Sequence, residues 1–182
     1  MTFEKTVTLK DGRNCLLRNG VTSDGKAVLD VFNRTHEETD YLLTYSDENC
    51  FTASQEADFP QRKTDSTNTV EIIAIVDGVV AGTAGIDALG MRDKIKHRAV
   101  FGIAITKEFW GLGIGKSLME ACIECAREAG YLQLELEVVA ENERAVEMYR
   151  RAGFIEYGRN PKAFRLRTGE YQELIDMRLE LK

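Results

Sequence analysis

Two prolines, one tryptophan and two histidines among 182 residues exclude several kinds of protein at the outset. With so little proline, no low-complexity block and no internal repeat, nothing reads as a linker, and the length fits a single domain over residues 1–182. No apolar run approaches the roughly eighteen residues of a membrane span. The opening "MTFEKTVTLKDGRN" lacks the continuous apolar core of a signal peptide. Cysteine is sparse too, and Cys15, Cys50, Cys122 and Cys125 outline no disulfide framework. Cys122 and Cys125 form a CxxC inside a helical pattern with no second ligand pair, so packed reduced thiols are expected, not a metal or redox site. The expected compartment is cytoplasmic. A formal net charge of -6 argues against broad attraction to nucleic acid or anionic membrane.

What is present alternates between strand and helix patterns. "NCLLRNG" (14–20) reads as a short strand, and 23–39 as a helix with Ser23 or Asp24 as cap and Val28, Val31 and Phe32 on one face. "TASQ" (52–55) has capping-box form and starts a second helix, which Pro60 limits or kinks. "TVEIIAIV" (69–76) and "VVAGTAGI" (79–86) flank Asp77-Gly78, a hairpin signature. "HRAVFGIAI" (97–105) is the next strand, after a basic loop. Leu118, Cys122, Cys125, Ala126 and Ala129 then form an apolar stripe opposite Glu120, Glu124, Arg127 and Glu128, ending at Gly130. A strand over 132–139, a helix from Asn142 to Gly153 and strands over 154–159 and 171–181 complete the pattern. This predicts a mixed α/β (α+β) fold of about seven strands and about four helices.

The glycine turn "WGLGIGKS" (110–117) poses the functional question. The phosphate-loop pattern G-x-x-x-x-G-K-[ST] requires glycine where Trp110 stands, and G-x-G-x-x-G fails from either Gly111 or Gly113. "EIIAIVD" resembles a Walker B strand, but it precedes the turn, and Asp77-Gly78 is better read as a hairpin. A strand entering glycines and then a helix still gathers unpaired N–H groups and the helix dipole at one point, a natural anion site. Lys116 and Ser117 add a charge and a hydroxyl. On the turn alone, a tight strand-to-helix connection is an equal reading.

Residues 101–154, "FGIAITKEFWGLGIGKSLMEACIECAREAGYLQLELEVVAENERAVEMYRRAGF", resemble the acyl-CoA-binding core of the GNAT superfamily of N-acetyltransferases. The likeness rests on the strand with its GxGxG-type turn, the strand ending near Asn142, and the Asn142–Tyr149 helix followed by Gly153-Phe154. It implies a largely antiparallel sheet with splayed central strands and acetyl-CoA as co-substrate, with no metal. Ile103, Ala104 and Ile105 would present backbone groups to the pantetheine arm. Trp110, Gly111, Leu112, Gly113, Ile114, Gly115, Lys116 and Ser117 would cradle the pyrophosphate, and Asn142 would contact the cofactor while capping its helix. The family motif [RQ]-x-x-G-x-[GA] has Trp110 in place of Arg or Gln, so a side-chain phosphate contact from position 110 is not carried over.

The implied reaction is attack of an amine on acetyl-CoA with loss of the coenzyme thiolate. Tyr149, about 10 Å along one helix face from Asn142, would protonate that thiolate. A lysine-like amine with a pKa of about 10.4 must first lose a proton. Asp87, Glu135 and Glu137 are strand carboxylates available as the base, each also explicable as structural. The resemblance implies an acceptor pocket built from about 37–52, acidic and aromatic, and 159–170, basic, which point to opposite acceptor charges and leave the acceptor unread. It implies only that the acceptor is an amine, of a small molecule or a protein. Family resemblance also implies a homodimer, with "YQELIDMRLEL" offering a strand edge. The rival reading is a non-catalytic acetyl-CoA-binding sensor.

Overall fold

The computed structural model describes residues 2–48 and 53–182, with side chains from residue 58 onward in the second stretch. Its described elements are β1 (Glu4–Thr8), β2 (Asn14–Asn19), α1 (Gly25–Glu38), α2 (Ala53–Thr64), β3 (Val70–Val76), β4 (Val79–Ala88), β5 (Arg98–Ile105), α3 (Ile114–Glu128), β6 (Gln133–Val139), α4 (Glu143–Arg151), β7 (Ile155–Arg165) and β8 (Tyr171–Glu180). The strands form one eight-stranded sheet in the order β1-β2-β3-β4-β5-β6-β8-β7. Every neighbouring pair is antiparallel except β5–β6.

One sheet face is built by strand alternation. Val70, Ile72 and Ala74 of β3, Ala84 and Ile86 of β4, and Ala99 and Phe101 of β5 join the buried stripe of α3, including Leu118, Cys122 and Ala126. Each such large side chain contributes about 1.5–3 kcal/mol on burial. The alternate residues, among them Glu71, Ile73, Thr83 and Gly85, belong to the other face, where α1 packs on β4 and β5 and α2 packs on β3. The Asp77-Gly78 turn has φ of 51° and 81°, the left-handed pair of a two-residue hairpin. Asp77 is there ion-paired to Arg13, as a residue of the hairpin turn.

Several expectations are corrected. The mixed, largely antiparallel fold with four helices is as expected, but the described strands number eight, because the strand read at 14–20 is preceded by β1. It is a short strand with a mostly exposed pattern, yet Phe3 and Val7 pack on the core, and Phe3, Val7 and Leu9 ahead of Asp11-Gly12 were the signal. The last third of the sheet also differs: β7 runs on to Arg165, with register shifts on both sides of Arg159 and Asn160. An edge strand accommodates Pro161 at such a bulge. β8 lies between β6 and β7, so the C-terminal strand has no free edge to offer a second copy; the sheet edges are β1 and β7. Helix α2 continues through Pro60 to Thr64, while the capping threonine expected at position 52 lies outside the described residues. Neither Ser23 nor Asp24 makes a side-chain cap on α1; Asp24 accepts from Val21 N–H and pairs with Arg18.

Cys15, Cys122 and Cys125 are free and buried. Burial raises all three thiols, Cys122 most strongly, and Cys125 to about 11. Only about one Cys125 in a thousand is then thiolate at about pH 8. Iodoacetamide should leave all three unlabelled in the folded protein and label them after unfolding, as read by peptide mass spectrometry. Rapid native labelling of Cys122 or Cys125 would show that α3 does not stay seated on the sheet.

Candidate active site

β5 and β6 are paired only where Arg98, Ala99 and Val100 meet Gln133, Leu134 and Glu135. Beyond that point β6 remains bonded to β8 through Val139, β5 remains bonded to β4 through Ile105, and the two parallel strands part. Arg98 accepts from Leu89 N–H at one end of β5, and Thr106 donates to Ala81 at the other. Backbone groups alternate sides along a strand, so the even-numbered residues between them face β4. Ile103 and Ile105 therefore turn their N–H and C=O groups into the gap, beyond the last pairing of Val100 with Glu135. Ala104 does not: its backbone faces Thr83, which corrects the expectation that it presents backbone groups there.

The glycine turn closes one end of this gap. Gly111 and Gly113 have φ of 84° and 100°, a region open to glycine and costly for other residues. Gly113 is the N-cap of α3 and offers no side-chain cap, so the first-turn amides around Ile114, Gly115 and Lys116 are left for an outside acceptor. Gly115 is a point of close approach, since a β-carbon there would lie 3.2 Å from Met148 Sδ and 3.3 Å from Ile105 Cδ1. Leu112 accepts a hydrogen bond from Lys10 N–H at 3.1 Å, and Arg13 lies 5.7 Å from the Phe109 ring centroid, so the β1–β2 hairpin supports the turn. Trp110 donates Nε1–H to Ile105 O at 2.6 Å. That bond occupies its only donor and takes up the last gap-facing carbonyl of β5. Lys116 pairs loosely with Glu120, 3.6 Å away, and both are exposed. Ser117 is half-buried, and its N–H is bonded within the turn to Gly113 O.

Asn142 caps α4, its Oδ1 accepting from Ala145 N–H at 3.3 Å. Tyr149 is 6 % exposed and lies edge-on to Phe101, 6.2 Å between centroids, with Phe154 at 5.8 Å. Phe101 belongs to β5, so the Tyr149 ring packs against that strand on the α3 side of the sheet. Burial raises its pKa above the usual tyrosine range, keeping the hydroxyl protonated. Arg144, which the sequence reading passed over, also reaches this end: its Cζ is 5.2 Å from the Trp110 ring centroid.

The carboxylates sort differently from the sequence expectation. Glu135 is held by Arg98 through both oxygens, with Arg98 Nη2 at 2.6 Å from Oε2, and Gln133 Nε2 adds a bond at 2.8 Å. These contacts hold its pKa below the ordinary value, so it is a clamp at the closed end of the gap and not a base. Asp87 pairs with Lys63 at 2.6 Å, and Glu137 is exposed opposite Asp176. Glu71, unremarked within its apolar strand, is buried, and desolvation raises its pKa. Its carboxylate overlies Gly85, where a β-carbon would fall 2.5 Å from Oε2, and Lys63 is 3.6 Å away. Register places Glu71, Gly85 and Gly102 side by side, and the space over Gly102 is open. The two acceptor segments meet directly: Arg167 pairs with Asp47 at 2.7 Å, stacks 4.0 Å from the Tyr45 ring centroid and donates its backbone N–H to Tyr45 Oη at 3.0 Å. Among the described residues no group of three or more His, Cys, Asp or Glu is placed to hold a metal ion.

The Arg98–Glu135 clamp has a testable pH dependence. Glu135→Gln should cost about 1–3 kcal/mol of stability at about pH 7, the scale of hydrogen bonds to charged groups. Glu135 has a lowered folded pKa, so its contribution is complete above the ordinary value of 4.5 and is lost as pH falls through the lowered one. Urea unfolding should therefore show the variant and the parent converging in acid. A difference unchanged in acid would mean that the clamp does not act through charge.

The Acetyltransferase (GNAT) family model matches residues 29–154. The L-amino acid N-acetyltransferase AaaT of Escherichia coli is 32 % identical over 118 residues, covering 64 % of this chain and 72 % of that protein. A GNAT-family acetyltransferase structure from Streptococcus pneumoniae aligns with a TM-score of 0.86 at 27 % identity, over 91 % of this chain and 99 % of that one. A GNAT superfamily phosphinothricin acetyltransferase from Sinorhizobium meliloti, solved with acetyl-CoA, shares the fold with a TM-score of 0.80 at 18 % identity, over 96 % and 89 % of the two chains. The family match spans the parted strands, the glycine turn and the Asn142–Tyr149 helix, and on it the chain belongs to the GNAT family of acetyltransferases.

Proposed function

We propose that the chain, working as one domain over residues 1–182, transfers an acetyl group from acetyl-CoA to a primary amine by direct attack in a ternary complex. The observation that carries this reading is the parting of β5 from β6 after Val100, with Ile103 and Ile105 turning backbone groups into the opening. A pantetheine arm needs such an extended row of amide partners. The turn from Trp110 to Ser117 supplies first-turn amides for the pyrophosphate.

The chemistry follows from what flanks the gap. The amine nitrogen attacks the thioester carbonyl, whose developing oxyanion is met by a strand amide, with Ile105 N–H as the candidate. The C–S bond then breaks and the thiolate takes the Tyr149 proton. Glu71, on the opposite sheet face, has the raised pKa and burial suited to accepting the amine's proton. The acceptor is a small-molecule or protein amine, and the AaaT relative, named for L-amino acids, puts those first in an amine panel. The family match does not favour a sensor without activity. Pairing of two copies by strand addition would use β7, where Ile155 and Tyr157 are exposed. The free, buried thiols fit a cytoplasmic setting.

Thiol release across the amine panel tests the activity directly: no turnover with any amine, despite tight acetyl-CoA binding, would restore the sensor. Tyr149→Phe should lower turnover by about 10²-fold while leaving acetyl-CoA affinity nearly unchanged, the scale of losing a general acid. Near-full turnover would remove Tyr149 from the mechanism. Gly115→Leu should meet Met148 and Ile105, displacing the turn and weakening acetyl-CoA binding by about tenfold or more in calorimetry. Unchanged binding would separate the turn from the donor site.

A further inference from the structure

Three cations surround the glycine turn, and their situations differ. Lys116 leans toward Glu120. Lys107 Nζ stands 5.8 Å from the Trp110 ring centroid, on the strand side of the turn. The Arg144 guanidinium lies 5.2 Å from the same centroid, and Nη2 is 3.9 Å from where a β-carbon on Gly111 would stand. Arg144 thus reaches from α4 to the backbone of the turn itself. Among the described residues no carboxylate pairs with it, whereas Arg150 and Arg151 of the same helix are both paired.

Its place in the helix is unfavourable for structure alone. Arg144 is in the first turn of α4, where the positive end of the helix dipole disfavours a cation, while Arg150 and Arg151 occupy the favourable last turn. It is also exposed and outside the buried stripe of Val146 and Tyr149. Trp110 cannot serve the phosphates itself, because its single N–H is bonded to Ile105 O. Its ring instead offers a face on which a guanidinium stacks while its N–H groups remain free in plane.

We propose that Arg144 is the side-chain phosphate ligand of the acetyl-CoA site, held over the glycine turn by stacking on Trp110. This rests on the acetyl-CoA reading above. The fork of the guanidinium matches two phosphate oxygens, which a lysine ammonium does not. Trp110 and Arg144 together then do what one long cationic or amide side chain on the turn would do: bring a donor to the ligand from outside the amide cradle. The ligand chemistry is a phosphate, supplied either by the pyrophosphate or by the ribose 3′-phosphate of the coenzyme.

The test is calorimetric affinity for acetyl-CoA and for 3′-dephospho-CoA in the parent, Arg144→Ala, Arg144→Lys and Lys107→Ala. Arg144→Ala should weaken acetyl-CoA by roughly tenfold, the scale of a charge-assisted hydrogen bond at an exposed site. Arg144→Lys should fall between, and Lys107→Ala should have the smaller effect. The salt dependence of acetyl-CoA binding should also flatten in Arg144→Ala. Melting temperature without ligand should hold or rise, because a cation leaves a helix N-terminus and alanine favours the helix. An equal loss on both ligands places Arg144 on the pyrophosphate; a loss confined to acetyl-CoA places it on the 3′-phosphate. Arg144→Ala binding both ligands within about twofold of the parent would overturn the proposal, as would Lys107→Ala showing the larger loss. A parent that binds neither ligand would instead overturn the acetyl-CoA reading itself.

Discussion

The paired contact of Arg98 with Glu135 sits at the last point where β5 and β6 are hydrogen-bonded. Parallel strands that pair for three residues and then separate leave backbone groups facing an opening, and a buried unpaired amide costs about 1–3 kcal/mol. The sheet must therefore be held shut below the opening and propped above it. Below, the His97 carbonyl accepts from both Leu132 and Gln133 while Arg98 grips Glu135. Above, Trp110 takes the Ile105 carbonyl, so one of the gap-facing groups is satisfied by protein and the others remain for a ligand. The splay is thus a defined defect with fixed ends, and its length is set by where these two contacts fall.

That defect gives the domain two chemically different sides. On the α3 side, Tyr149 sits among Phe101 and Phe154, where burial makes loss of its proton unfavourable. On the α1–α2 side, Glu71 lies over Gly85 beside Lys63 and Asp87, where burial makes holding a proton easier than for an ordinary carboxylate. One desolvating sheet therefore raises the pKa of a phenol on one face and of a carboxyl on the other, and under the proposed function these are the proton donor and the proton acceptor. An amine arriving over Gly102 and a thiolate leaving toward Tyr149 would never compete for the same proton. Glycine at 85 is what leaves room for the Glu71 carboxylate, and the space over Gly102 on the same face is open.

How much of this was legible depends on which feature spoke through local pattern. The α3 stripe, the Asp77-Gly78 hairpin and the 110–117 turn are local, and each lies where its spacing placed it. The family likeness rested on the same local pieces. β1 escapes a local reading because its burial comes from distant partners: Phe3 and Val7 are only partly buried against the core, and Leu9, which is fully in it, lies past the strand's end. β7 was read six residues long because "RNPKAFR" has turn composition, and only pairing with β8 keeps it extended. Ala104 was grouped with its neighbours because the direction of a backbone amide follows strand parity, which only the Leu89–Arg98 and Ala81–Thr106 bonds fix. Arg144 and Glu71 were invisible for a related reason. Each stands outside the periodic stripe of its own element, and its meaning comes from what another element brings to it.

The acceptor segments show the same dependence on tertiary contact, with a consequence for specificity. Read singly, 37–52 asked for a cation and 159–170 for an anion. In the fold Arg167 spends its charge on Asp47 and its plane on Tyr45, so these opposed charges largely answer each other. An exposed pair of this kind is worth little as stability, about 0–1 kcal/mol. Its effect is geometric: the residues between β7 and β8 are tied to the chain that follows α1. The tie is a neutralised bridge with an aromatic ring in it. Choice of amine then cannot follow from the net charge of either segment. The charges that the sheet and α2 hold in place are instead Glu71, Lys63 and Asp87, which pair among themselves.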